Sequence, residues 1–129
     1  MNFTIRIDPP SGGSQRVALG GRLDTHTYGE LDRQLAPLLA ADTSSLVFDL
    51  AQLDYISSAG IRSILLARKA LAARGGKVVV ANPQPQIQKV FDVVKAVPLS
   101  EIFTSVAEAD AYLDLMQRRV LEGSREDDD

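Results

Sequence analysis

Phe3, Ile5 and Ile7 alternate with Thr4, Arg6 and Asp8, a period of two that turns three apolar side chains onto one face of a strand. Pro9 and Pro10 close that strand, because neither can donate to a ladder. The SGGSQ segment at 11–15 reads as a turn, and Arg16–Leu19 as a second strand paired antiparallel with the first and ended by Gly20 and Gly21. Asp24, Thr25 and Thr27 are helix-capping residue types, and behind them Leu31, Leu35, Leu38 and Leu39 recur at helical spacing. Pro37 lies inside that pattern, where it removes an amide hydrogen and crowds the carbonyl four residues back, so the sequence predicts a kink or a tightened last turn.

The run LVFDL, Leu46–Leu50, is apolar on both faces except at Asp49, which predicts a strand covered on each side, and KVVVA at Lys77–Ala81 repeats the pattern. Between them Ile61, Ile64, Leu65 and Leu71 or Ala72 form a helical stripe that Gly75 and Gly76 terminate. That is a βαβ unit, and a right-handed crossover makes its strands parallel neighbours, or nearly so, in one sheet. A third helix follows NPQPQ with Ile87, Val90, Phe91 and Val94 on one face, and a short strand is expected around Glu101–Phe103. Val106, Ala109, Leu113, Met116 and Val120 mark a last helix. The order ββαβαβαβα predicts an α/β fold: a mixed sheet with a parallel centre and an N-terminal hairpin, about four helices packed against it. One domain over residues 1–121 is expected, with 122–129 a disordered acidic tail lacking periodicity.

Composition narrows the chemistry. A chain of 129 residues, 45% hydrophobic, suits a single core. Its net charge of -3 offers no general positive field to phosphate backbones, so nucleic acid is not an expected partner. Without cysteine there is no thiolate nucleophile or sulfur-ligated metal, and the single His26 leaves little for a histidine site, so neither metal nor cofactor is expected. No apolar run approaches the twenty or so residues a membrane helix needs, and MNFTIRIDPP lacks a signal-peptide apolar region, so the expected compartment is the cytoplasm, without membrane insertion.

Chemistry in open α/β sheets gathers at the carboxyl ends of strands, which here carry GGRLDTHT at 20–27 and LDYISSAGIR at 53–62. Ser57 and Ser58 fall where a loop becomes a helix, and Gly60 permits a close approach in its first turn. On local pattern alone a serine there is an N-cap worth about 1 kcal/mol. His26 lies near Asp24, but a Ser-His-Asp triad also needs a nucleophile elbow and an oxyanion hole, and neither signature is present. No HExxH, GxSxG, P-loop or Rossmann glycine pattern occurs either. Asp49 in its apolar strand is read as a cap on a neighbouring loop, Ile61 as core, and the terminal EDDD as solvated charge.

From about Phe3 to Leu115 the chain resembles a STAS domain of the bacterial anti-sigma factor antagonist type. The resemblance rests on GRLDTHT after the second strand, FDLAQLDYISSAGIRSILLARKALAARGGKVVVAN in the centre, and IQKVFDVVKAV followed by EIF. It implies a protein that is not itself an enzyme. Its unphosphorylated form would bind an anti-sigma factor that is also a serine kinase of the GHKL type; phosphorylation at Ser58 would release it, and a serine phosphatase would reset it. The resemblance places Asp24 at the family's G-x-L-D aspartate and the partner surface at Asp24, Thr25, Thr27, Ser57, Ser58, Ala59, Gly60 and Arg62. Ser57 stands where the best-known members often carry Asp. Arg62, four residues after Ser58, is open to two readings, as a partner for phosphate or acidic groups and as a solubilising charge. A phosphate would add roughly -1.5 to -2 charges beside helix amides without intrahelical partners, so the fold is expected to accept it and the switch to act at the interface. Two rival readings are a STAS subunit docking on a transporter or sensory complex without phosphorylation, and a small flavodoxin-like enzyme using the strand-end crevice. The missing catalytic motif speaks against the second rival.

Overall fold

The structure, a computed structural model, describes residues 3–96, 103 and 105–126. Strands β1 (Phe3–Ile7), β2 (Ser14–Leu23), β3 (Ser45–Ile56) and β4 (Lys77–Ala81) form one sheet in the order β1-β2-β3-β4. β1 pairs antiparallel with β2, while β2–β3 and β3–β4 are parallel. The described helices are α1 (Tyr28–Ala40), α2 (Ser58–Ala72), α3 (Pro85–Ala96) and α4 (Val106–Glu126). The mixed sheet, the N-terminal hairpin and the four helices are as the sequence predicts. The expected strand at Glu101–Phe103 lies outside the described residues apart from Phe103, whose ring packs on Tyr112 at 5.2 Å between centroids.

Both parallel crossovers step the same way along the sheet, so right-handed connections put α1 and α2 on one face. Val17, Leu19, Leu46, Phe48 and Leu50 fill that face with Leu31 and Leu35 of α1, Ile61 and Ile64 of α2, Ile87 and Val90 of α3, and Leu113 of α4. The other face carries Arg6, Arg16, Val47, Asp49 and Val79. Here the expectation of a strand covered on each side is corrected: Val79, the register neighbour of Val47, is 39% exposed. Strands added in one direction receive helices on one side only. Asp49 does hold a neighbouring loop, at Asn82 after β4, and also serves the sheet itself. Its carboxylate pairs with the Arg16 guanidinium on the neighbouring strand and accepts from Ala51 N at 3.1 Å and Asn82 Nδ2 at 3.3 Å.

The glycine pair at 20 and 21 does not end β2. The strand runs on to Leu23 through register irregularities around those residues, with Gly21 at φ 82°, a left-handed value that glycine adopts without steric cost. β3 likewise extends past Leu50 to Ile56, since pairing with the lengthened β2 keeps its backbone satisfied. α1 continues through Pro37 to Ala40, and Gly76 closes α2 by donating to the Leu71 carbonyl at 2.8 Å. In α4 the apolar stripe is Ala109, Leu113 and Met116, whereas Val106 is 63% exposed. α4 also reaches Glu126, into the segment read from sequence as a tail.

Gly60, in the first turn of α2, has no room for a side chain: a Cβ there would stand 2.7 Å from Leu23 Cγ and 2.9 Å from Ile56 Cγ1. The close approach it permits is therefore made by its own sheet. Gly60→Ala is expected to destabilise the fold by about 1–3 kcal/mol through overpacking, read as a lower urea midpoint. An unchanged midpoint would contradict this packing.

Candidate functional site

Parallel pairing sets the site. Leu23 and Ile56 end β2 and β3 side by side, so the loops that follow emerge together at the carboxyl edge of the sheet. Ser57 N donates to the Leu23 carbonyl at 2.9 Å, tying one loop to the other. The two segments singled out in the sequence are thus adjacent.

The first loop is held by its own side chains. Thr27 Oγ1 accepts from Asp24 N at 2.8 Å and donates to the Arg22 carbonyl at 2.8 Å, while Asp24 Oδ1 accepts from His26 N at 2.9 Å. Thr27 occupies the N-cap position of α1 without a side-chain capping bond, because its hydroxyl is committed to this turn. Arg22 lies 3.6 Å from the Asp24 carboxylate and stacks over the Tyr55 ring at 3.9 Å. Thr25 and His26 are exposed. The loop presents a carboxylate in fixed geometry.

The two serines of the second loop differ. Ser57 is 3% exposed, and its hydroxyl caps α2 by accepting from Gly60 N at 3.4 Å. Ser58, the first residue of α2, is partly exposed, and its hydroxyl makes no hydrogen bond to any described residue. Ala59 is half-buried, Arg62 exposed, and Ile61 buried at 2%, which settles Ile61 as core. Arg62 has no ion pair among the described residues. So one hydroxyl is consumed by the cap and the next is left available.

Two residues that bond to the backbone of this site were not found in the sequence, and both lie on α4. Asp110 Oδ1 accepts from Ser58 N at 2.8 Å. Gln117, 1% exposed, accepts from Ile56 N at 3.1 Å and donates to the Ile56 carbonyl at 2.8 Å. They clamp the end of β3 and the start of α2 from a distance of more than fifty residues. The only available signal was polar residues at helical spacing around Leu113, which is also what any solvated helix shows. The leading amide at Ser58 has no intrahelical partner, as expected, but it is already satisfied from outside the helix by the Asp110 carboxylate.

Carboxylates gather on the Tyr55 side of the site. Burial raises the Tyr55 phenol above its ordinary value; the Asp114 carboxylate adds to that, Arg22 opposes it, and Asp110 and Asp24 push it further up. Three carboxylates from two distant segments thus act on one ring two to three residues from the serines. No group of three or more His or acidic residues among the described residues is arranged to hold a metal, and no described helix is long and apolar enough to cross a membrane.

A family model described as the STAS domain matches residues 13–109. The chain is 35% identical over 77 residues to a protein of Bordetella bronchiseptica named as an anti-sigma factor antagonist, BtrV, covering 60% of this chain and 66% of that one. It is 29% identical over 77 residues to the anti-sigma-B factor antagonist of Staphylococcus epidermidis, covering 60% of this chain and 71% of that one. The match thus spans a little under two thirds of the Bordetella protein. Among solved structures, the unphosphorylated form of the anti-sigma factor antagonist SpoIIAA superposes with a TM-score of 0.61 at 20% identity, over 69% of this chain and 82% of that one. An anti-sigma factor antagonist from Mycobacterium paratuberculosis gives 0.59 at 20% identity, over 75% and 84%. At these identities the structures establish the fold.

The α4 clamps make a graded stability prediction. Gln117→Ala leaves a buried amide and carbonyl unpaired and should cost about 2–3 kcal/mol, whereas Asp110→Ala removes one partly buried cap and should cost about 1 kcal/mol. Urea unfolding would reveal the order, and an Asp110→Ala loss as large as that of Gln117→Ala would contradict it.

Proposed function

The chain belongs to the STAS domain family, and from that premise we propose that it is an anti-sigma factor antagonist controlled by phosphorylation at Ser58. Its partner in this reading is an anti-sigma factor that is also a GHKL-type serine kinase, and a serine phosphatase restores the binding form. The chain supplies no catalytic group or cofactor; it is a regulatory protein of the cytoplasm whose hydroxyl is the substrate. The observation that carries the reading is the contrast between the two serines: Ser57 is buried as a cap, while Ser58 is partly exposed with no described hydrogen-bond partner. A kinase can reach the second without unwinding the helix.

The surroundings of Ser58 supply a physical switch. A phosphoserine carries roughly -1.5 to -2 charges at neutral pH. At Ser58 it would compete with the Asp110 carboxylate for the same backbone amide, in a neighbourhood that already holds Asp24 and Asp114. Arg62 and Arg22 are the nearby cations, and Arg22 is already engaged with Asp24 and Tyr55. A charge of this kind placed against a partner's carboxylate in a docking surface costs complexes on the order of 3–4 kcal/mol, and each ~1.4 kcal/mol is tenfold in affinity. A few hundredfold separates a bound partner from a released one at ordinary concentrations. The partner surface in this reading is made of Asp24, Thr25, Thr27, Ser58, Ala59 and Arg62 at the carboxyl edge, with Ser57 and Gly60 supporting it from beneath.

Incubation with the cognate kinase and ATP should add one phosphate, and mass spectrometry should locate it on Ser58; a phosphate elsewhere overturns the assignment. Ser58→Ala should retain partner binding, while Ser58→Asp and Ser58→Glu weaken it with little change in Tm. If calorimetry gave all three the same Kd, the electrostatic switch would be excluded and docking without phosphorylation favoured.

A further inference from the structure

Helices α2 and α3 stand apart over β4 and leave a groove of about 940 Å³. Ser58 lines one end of it, and the wall runs along α2 as far as Lys69, about 16 Å at 1.5 Å per residue. Its apolar surface includes Leu65 and Leu66 on α2 and Phe91 and Val94 on α3. Leu65 is 37% and Leu66 50% exposed, although adjacent large apolar residues on a helix are ordinarily turned at least in part to the core. Four cations line the same groove, Arg62, Arg68 and Lys69 from α2 and Lys95 from α3, and no carboxylate of the described residues does. None of the four has an ion pair among the described residues, in a chain whose net charge is -3. The positive charge is local, and among the described residues it is not ion-paired; Asp92, which accepts from Gln88 Nε2 at 2.9 Å, stands three residues before Lys95.

An apolar floor with a cationic rim fits an amphipathic helix whose apolar face is bordered by Asp and Glu, docking through side chains at i, i+3 or i+4 and i+7. We infer that the α2–α3 groove receives an acidic amphipathic helix of the partner protein, continuous with the surface around Ser58. By its composition the segment that follows α3 matches the cationic rim less well. It carries one acidic residue, Glu101, and where the chain is next described, at Phe103, the ring packs against Tyr112 of α4. The inference rests on the switch reading for the identity of the partner, and on the groove alone for its chemistry.

The test uses the full chain, labelled with nitrogen-15, and two synthetic peptides of about fifteen residues, four helical turns. One peptide has Leu at i, i+3, i+4 and i+7 with Glu elsewhere, and its twin has Lys in place of Glu. The Glu peptide is expected to shift the amide signals of Leu65, Leu66, Phe91 and Val94, and the Lys peptide to leave them in place. Lys69→Glu combined with Lys95→Glu, both at exposed positions, should weaken the Glu peptide at least tenfold, and Leu66→Ser should do so without altering any charge. Equal binding of both peptides, shifts confined to other surfaces, tighter occupation of the same residues by decanoate, or Overhauser contacts placing residues 97–102 against Leu66 would each overturn the inference. Phosphate transfer to Ser58 is measured separately. A chain that is phosphorylated normally but ignores the Glu peptide defeats the groove alone, and one that binds the peptide but is never phosphorylated at Ser58 defeats the switch alone.

Discussion

The register of β2 against β3 is the constraint from which the site follows. Because these strands run parallel and end together at Leu23 and Ile56, the loops they feed must leave at one edge of the sheet. The hydrogen bond from Ser57 N to the Leu23 carbonyl fixes that adjacency at the level of the backbone. Gly60 makes it compact, since Leu23 and Ile56 occupy the volume that any side chain would need. An antiparallel pairing, or a slip of one residue, would separate Asp24 from the serines or turn one of them into the core.

On this frame the C-terminal helix acts as a brace. Leu113 is fully buried in the common core, and on either side of it Asp110 and Gln117 reach the start of α2 and the end of β3. Their bonds satisfy backbone groups that no sheet or helix partner serves, at the point where β3 has ended and α2 has only begun. The same brace brings carboxylates to the Tyr55 side of the site. Asp110 and Asp114 come from α4, and Asp24 comes from the loop after β2, so the acidity around Tyr55 and Ser58 is assembled from elements that are far apart in the chain. The cations divide differently: Arg22 is spent on Asp24 and Tyr55, while those along α2 and Lys95 line the groove with no ion pair among the described residues.

Much of the architecture was readable from periodicity. The alternation at Phe3–Ile7, the strand at Lys77–Ala81 and the helical stripes of α3 and of α2, apart from Leu65, which is exposed, depend on local geometry, which a pattern of residues reports directly. The errors fall where pairing overrides local preference. Gly20 and Gly21 look like a strand end, yet β2 continues because β1 and β3 on either side supply partners for its backbone. Leu46–Leu50 looks doubly covered, yet one face is open because the strand order places the crossovers together. Val106 fits the apolar stripe of the last helix and is nonetheless exposed.

By itself the sequence determined the α/β class, the capping serines at the head of α2, the family resemblance and the pair of loops where chemistry gathers, because each of these is written in neighbouring residues or in a motif. Only the tertiary structure decided which serine hydroxyl is consumed as a cap and which has no partner among the described residues, that Asp110 and Gln117 hold the site, and that α2 and α3 leave a cationic groove between them. Those outcomes depend on contacts between segments as much as sixty-one residues apart, and side chains brought together by packing leave no periodic mark along the chain.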